Sequence, residues 1–327
     1  MSKSLNNSKS SLKNKITVKV IGGIGNQLFG FVFGLAVADK LRATLLIDES
    51  LIPFGSNKAR TLGIRNFRFF GIPYKFKVTH VQKNRYLHNN AVLQKIIWKL
   101  SVFKINSEKV TNYLHFKFKS NQKFFGYFQT WFYIDLLKKL GYILSLSDGD
   151  TSDSYKNVLH QVDFTDDVVV HVRLGDFLKF PAIYPKIPEL YYTQSIEAIR
   201  KAKSKESYIV VTEDRREILE HYPNIYINAK IIIDRSSGLS DFESFLVMSK
   251  ANCLVSSNST FSMWAAWMVK DKGGLVIVPD KYLFPLESQE LVDARWDKID
   301  KKTGLIHPGN FNFNDFLERE AKFNAKF

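Results

Sequence analysis

Three ionisable side chains fall within six residues at His171-Val172-Arg173-Leu174-Gly175-Asp176, directly after the apolar run 168–170. Strand side chains alternate between faces, so His171 and Arg173 share one face while Val172 and Leu174 take the other. Gly175 permits a sharp turn where the strand should end. Ligands of open α/β sheets sit at the carboxyl ends of the strands. A guanidinium placed there can grip a phosphate through two parallel charge-assisted hydrogen bonds. The imidazole and the carboxylate beside it are candidate proton acceptors. The alternative for the same residues is a structural ion pair between Arg173 and Asp176.

Two further segments carry side chains of chemical interest. Gly22-Gly23-Ile24-Gly25-Asn26-Gln27 follows an apolar run at 16–21 and reads as a tight turn. A dinucleotide fingerprint starting from Gly23 and Gly25 needs a third glycine where Leu28 stands. Asp48, at the end of the next run, sits where a ribose-binding acid would, but the missing glycine disfavours NAD. The amides of Asn26 and Gln27 suit hydrogen bonds to sugar hydroxyls, unless Asn26 only caps the following helix. Ser257-Asn258-Ser259-Thr260-Phe261-Ser262 leads from a short strand into a helix bearing Met263, Trp264 and Trp267. Free N–H groups at a helix start bind phosphate. The competing role is plain capping by Ser259 or Thr260, worth about 1 kcal/mol. No His, Cys, Asp and Glu set has zinc spacing, and Ser259 has no partner His and Asp arranged for nucleophilic attack.

The elements that must position these residues follow an α/β rhythm. The 327 residues are 45% hydrophobic, enough for two domains with cores of their own. The single cysteine, Cys253, excludes an internal disulfide and suits a reducing compartment. Residues 1–15 read as a flexible basic tail without the apolar core of a secretory signal. The longest strongly apolar run, 28–38, is too short to span a bilayer. The protein is therefore expected in the cytoplasm, with peripheral attachment to a membrane surface.

Strand 16–21, helix 28–41 and strand 44–48 make a βαβ opening, which implies a parallel sheet. Residues 50–125 show weak periodicity, although Leu93, Ile96, Ile97, Leu100 and Phe103 have helical spacing with Lys95 and Lys99 set to one side. Polar clusters over 145–167, around one short helical stretch, mark a domain boundary. Beyond it come strand 168–171, helix 189–203, strand 207–211, a strand within 225–233, helix 241–249, strand 253–256, a helix from 261 and strand 275–278. The expected division is an N-terminal α/β domain over 16–150 and a C-terminal one over 165–327.

Charge divides along the same line. Residues 1–130 hold 22 Lys and Arg against four acids, whereas residues 131–327 hold 25 against 28. The basic half suits an anionic membrane surface. Nucleic acid ranks low, since neither zinc-finger spacing nor an RRM-like aromatic motif is present.

Taken in order, the motifs resemble the α-1,2-fucosyltransferase family, the inverting enzymes of glycosyltransferase family 11. Residues 22–29 are similar to the GGLGNQLF of that family, and Gly126-Tyr127-Phe128-Gln129 to its GYFQ. His171 to Asp176 resembles HxRRGD, and Thr212-Glu213-Asp214 sits at an SDD-like element. Leu246-Val247-Met248-Ser249 and residues 257–267 are similar to its LMS…SNSSFSWWGAW block. Two departures stand out: Leu174 replaces the second arginine, and the acid expected before LMS falls at Ser244, with Glu243 beside it.

The resemblance implies a GT-B-like α/β architecture of two Rossmann-like domains facing a cleft. It also implies transfer of L-fucose from GDP-β-L-fucose to the 2-hydroxyl of a terminal β-galactoside; a basic half held at a membrane would suit a lipid-linked glycan as that acceptor. Catalytic candidates are Arg173, Asp176, His171 and Asn26. Binding candidates are Gly23, Gly25, Gln27, Tyr127, Gln129, Ser257, Asn258, Ser259, Thr260 and Phe261. Glu213, Asp214 or Asp234 would accept the guanine N–H pair. Asp148-Gly149-Asp150 resembles the metal-binding DxD of other glycosyltransferases but lies in the polar linker and reads as solvated loop, so no metal or cofactor is expected. The alternatives are a transferase using another nucleotide sugar, or a non-catalytic binder of membrane or nucleic acid.

Overall fold

Short apolar strands pair in parallel to form two separate sheets. The computed structural model describes residues 14–50, 52, 63–77, 106–107, 117–146, 151–179, 181, 184, 186–279, 298–299 and 306–307. The chain divides into two compact units, one of residues 1–147 with 314–327 and one of 148–313.

In the first unit, β1 (Lys15–Lys19), α1 (Ile24–Leu41) and β2 (Thr44–Asp48) form the βαβ opening. Helix α1 is buried on nearly every side, as its apolar composition requires. It starts at Ile24 rather than at 28, with Gly23 as N-cap. Gly25, Asn26 and Gln27 therefore lie in its first turn, and Asn26 is not the cap. The chain continues through β3 (Phe67–Phe69), β4 (Tyr74–Lys77), β5 (Asn106–Ser107), β6 (Lys123–Phe125), α2 (Phe132–Lys139) and β7 (Leu144–Leu146). The sheet order is β4-β2-β1-β6-β5, with every neighbour parallel; β3 and β7 form a separate antiparallel pair. The order reverses between β1 and β6. An aromatic cluster centred on Phe33 of α1 packs that region: Phe33 stacks on Phe128 at 3.9 Å and meets Phe124 and Tyr133 edge-on.

The second unit runs α3 (Asp153–Gln161), β8 (Val168–His171), α4 (Gly175–Lys179), α5 (Glu189–Lys203), β9 (Tyr208–Val211), α6 (Arg215–His221), α7 (Pro223–Asn228), β10 (Ile231–Ile233), α8 (Asp241–Lys250), β11 (Cys253–Val255), α9 (Thr260–Asp271) and β12 (Leu275–Ile277). The strand expected within 225–233 is confined to β10, because Pro223 opens a helix just before it. The sheet order β10-β9-β8-β11-β12 is 3-2-1-4-5 in the unit's own strand count, the order of a Rossmann fold. Here the order reverses between β8 and β11. Val168, Val170, Val172 and Leu174 all enter one core with Tyr192, Ile196 and Ile199 of α5. Two-residue alternation thereby turns His171 and Arg173 away from that core. Two parallel α/β units are the composition expected of a GT-B-like chain.

Candidate active site

Both groups of candidate residues gather where a sheet reverses its strand order. In the second unit, His171 ends β8 and Ser257 follows β11. Their side chains meet, with Nδ1 2.7 Å from Oγ and both residues buried. Burial pushes the imidazole pKa down to about 3, helped by the nearby Arg173 charge. His171 is therefore neutral at physiological pH. Its ring lies 5.8 Å from that of Phe261.

The turn from β11 to α9 is buried and rich in hydroxyls. Ser256, Ser257, Asn258, Ser259, Thr260 and Ser262 are all buried, Ser256 Oγ donates to Ser262 Oγ at 2.9 Å, and Ser259 caps α9 by accepting the Phe261 N–H. Tyr191 Oη donates to the Ser256 carbonyl at 2.8 Å and braces the turn from α5.

Arg173 pairs with Glu213: Nη1 lies 2.8 Å from Oε1, and both side chains are largely buried. Arg235 reaches the same oxygen at 3.4 Å. Phe177 lies under the Arg173 guanidinium at 5.4 Å and itself stacks on Tyr184. Gly175 is required here. Its φ is +34°, and a Cβ would fall 1.7 Å from Glu213 Oε2. Asp176 occupies the first turn of α4, but its side chain lies outside the described residues.

The three acids proposed for guanine differ in their engagements. Asp234 receives the Arg215 N–H, Nε and Nη2, and both N–H and Oγ of Ser236. Burial alone would raise its pKa, but these hydrogen bonds override it and bring the carboxyl down to about 2. Asp214 caps α6 and is chelated by Arg216. Glu213 serves the two arginines. Glu243 is buried in a capping box with Ser240 and also accepts the Ser152 N–H at 2.7 Å.

In the first unit, Gln129 follows β6 and donates its amide to Asn26 Oδ1 at 2.9 Å. Gln27 is buried and donates to the Gly22 carbonyl. Gly22 has φ +74°, and a Cβ there would press on Asn26 Nδ2 at 2.7 Å. Gly23 and Gly25 serve the helix start. Tyr127 is 44% exposed, whereas Phe128 is buried and has φ +49°. A bulky residue in the left-handed region is strained. The stack on Phe33 holds it there, and the resulting bend aims Gln129 at Asn26. Asp48 is occupied within the fold. It is buried and receives Lys19 Nζ at 3.1 Å and the Ser50 N–H at 3.0 Å.

Sequence reasoning missed Arg235 and Phe128. Arg235 had a faint signal, a cation directly after the acid that ends a strand. Phe128 stood within the stretch similar to GYFQ, but residue type does not disclose a positive φ in an aromatic. Among the described residues no group of three or more His, Cys, Asp or Glu is placed to hold a metal ion, and no helix is long and apolar enough to cross a membrane. Asp148, Asp150 and the 93–103 stretch lie outside the described residues.

A model of glycosyl transferase family 11 matches residues 2–299. The O-antigen biosynthesis glycosyltransferase WbnK of Escherichia coli is 25% identical over 305 residues, spanning 84% of this chain and 97% of that protein. An alpha-1,2-colitosyltransferase of Escherichia coli is 23% identical over 296 residues, spanning 88% of this chain and 99% of that protein. Among solved structures, the fucosyltransferase NodZ from Bradyrhizobium aligns at a TM-score of 0.44 and 13% identity, over 78% of this chain and 93% of that chain.

Proposed function

The chain belongs to glycosyl transferase family 11, and from that premise we propose that it moves L-fucose from GDP-β-L-fucose to the 2-hydroxyl of a terminal β-galactoside, with inversion. The observation that carries this reading is the placement of Arg173. Its guanidinium stands just past the carboxyl end of β8, beside the point where the sheet order reverses. Nucleotides occupy that position in doubly wound sheets.

The acceptor oxygen attacks the anomeric carbon of the donor while the bond to the β-phosphate oxygen breaks, and GDP departs with the bonding electrons. Positive charge develops on the sugar ring and negative charge on the diphosphate. Arg173 and the N–H groups at the start of α9 would stabilise the latter as preorganised positive groups. The hydroxyl proton needs an acceptor. A buried imidazole with a pKa of about 3, tied to Ser257, is a weak base. His171 is therefore assigned to hold the β11–α9 turn, and Asp176 is the remaining candidate base of the motif. Asp234, Asp214 and Glu213 each carry an arginine partner, so all three stay candidates for the guanine N–H pair.

The first unit is assigned to the acceptor. Asn26 and Gln129 offer amide groups to sugar hydroxyls, and the exposed Tyr127 ring offers a stacking face. The basic charge of residues 1–130 supports a cytoplasmic enzyme on an anionic membrane, with a lipid-linked acceptor.

One relative is described as a colitosyltransferase, so the deciding experiment offers GDP-L-fucose, GDP-colitose and UDP-galactose with a panel of β-galactosides and measures nucleotide release. Release from GDP-L-fucose that depends on a β-galactoside and persists in excess EDTA is expected. Turnover with GDP-colitose alone would reassign the donor. Loss in EDTA with rescue by Mn²⁺ would restore the DxD reading of Asp148 and Asp150.

A further inference from the structure

Three neighbouring strands of the second unit, β8, β9 and β10, each release a charged residue at the carboxyl edge of the sheet: Arg173, Glu213 and Arg235. Arg173 Nη1 and Arg235 Nη2 lie 2.8 Å and 3.4 Å from one oxygen, Glu213 Oε1. Two guanidiniums on a single carboxylate leave the trio with one net positive charge. The surrounding arginines do not share that surplus, since Arg215 is spent on Asp234 and Arg216 on Asp214. Leu174 adds no charge here, because its side chain is buried in the core on the opposite face. The arginines also differ in freedom. Arg173 is 15% exposed and braced by Phe177, whereas Arg235 is 70% exposed and reaches in from the turn after β10.

We propose that Arg173 and Arg235 form a two-guanidinium diphosphate clamp, with Glu213 holding its place until the donor binds. This rests on the GDP-sugar reading above. An oxygen contacted by two guanidiniums at a sheet's carboxyl edge is already geometry suited to a phosphate oxygen. A diphosphate carries more charge than one carboxylate and can take up both guanidiniums through separate oxygens. Arg173 supplies the fixed half of the grip, and Arg235 closes from the exposed side.

Titration calorimetry on the full chain tests this with GDP and guanosine as ligands. An exposed ion pair at 3.4 Å adds little stability, so Arg235→Gln should fold as the native protein does. The variant should bind GDP about 10-fold or more weakly, the loss typical of a hydrogen bond to a charged group, with guanosine affinity unchanged. Arg235→Lys should recover part of the loss by keeping the charge. Lys201→Gln, which removes one exposed charge on α5, should change neither ligand by comparison. Native GDP affinity in Arg235→Gln would overturn the clamp while leaving the donor reading intact, and so would equal losses for GDP and guanosine. Failure of the native protein to bind GDP at all would overturn both.

Discussion

His171 Nδ1 lies 2.7 Å from Ser257 Oγ and bonds the end of β8 to the residue two past the end of β11. These neighbouring strands are the pair between which the sheet order reverses. Gln129 and Asn26 make the corresponding bond in the first unit, past the ends of β6 and β1. Loops leaving adjacent strands diverge at such a point, and that divergence creates a ligand crevice in doubly wound sheets. In each unit one side-chain hydrogen bond ties the diverging loops together.

The burial of His171, with the Arg173 charge beside it, predicts a specific acid sensitivity. The folded imidazole has a pKa of about 3 against 6.5 for the ordinary side chain. Below pH 6.5 the unfolded chain takes a proton that the folded chain refuses, so stability falls on acidification down to pH 3. The slope should approach one proton, about 1.4 kcal/mol per pH unit, between roughly pH 6 and 4. The depressed carboxyl of Asp234 acts lower. It stabilises the fold above the ordinary carboxylate pKa and loses that effect as pH falls toward 2. Urea denaturation from pH 7 to 4 should therefore show a proton-linked slope in the native protein and a smaller one in His171→Asn. Equal slopes would mean that His171 titrates normally.

In the first unit, Gln129→Ala should act on the acceptor side alone. It removes one partly buried hydrogen bond, so the fold should survive. Release of Asn26 should raise the acceptor KM about 3- to 10-fold, the equivalent of one ordinary hydrogen bond, with the donor KM unchanged. Steady-state kinetics with each substrate varied in turn would read this. A rise in the donor KM instead would move Asn26 and Gln129 to the other substrate.

Much of this arrangement was legible in the sequence because it follows from local pattern. Val168, Val170, Val172 and Leu174 sort to the core by alternation, which leaves His171 and Arg173 together on the other face. The α1 run declared a buried helix by its composition, although its start was misplaced because Gly25-Asn26-Gln27 reads as turn chemistry and is the first helical turn. The short strands of the middle region were hidden because two to four residues cannot establish a period against so many Lys and Phe. Long-range pairing was the least legible. Glu213 stands 40 positions from Arg173 and is brought alongside it by the parallel pairing of β8 and β9. The sharing of Glu213 by Arg235 depends on a third strand. Phe128 is held at positive φ by a ring 95 positions away in sequence.

Arg173→Lys should lose most activity and keep the fold. Lysine retains the charge but not the planar two-pronged grip. Loss of one preorganised contact at the leaving group should lower kcat about 100-fold or more. The melting temperature should stay near native, because Lys can still face Glu213. Near-native turnover would remove Arg173 from the mechanism.

The charge division of the chain leads to a test on membranes. Co-sedimentation with vesicles containing anionic lipid should capture the protein at low salt and release it as salt rises. Replacing Lys95 and Lys99 by Glu should weaken capture if the 93–103 segment lies in the interface. Absence of binding at low salt would leave the basic half without this partner.

The most direct measurement is the structure of the product. Native protein, GDP-L-fucose and a β-galactoside acceptor should be incubated together, and the isolated glycan examined by mass spectrometry and NMR. The account predicts one added deoxyhexose on O2 of the terminal galactose, in the α configuration opposite to the β-linked donor. A β-linked product, attachment at another hydroxyl, or release of free fucose without a glycan product would contradict it.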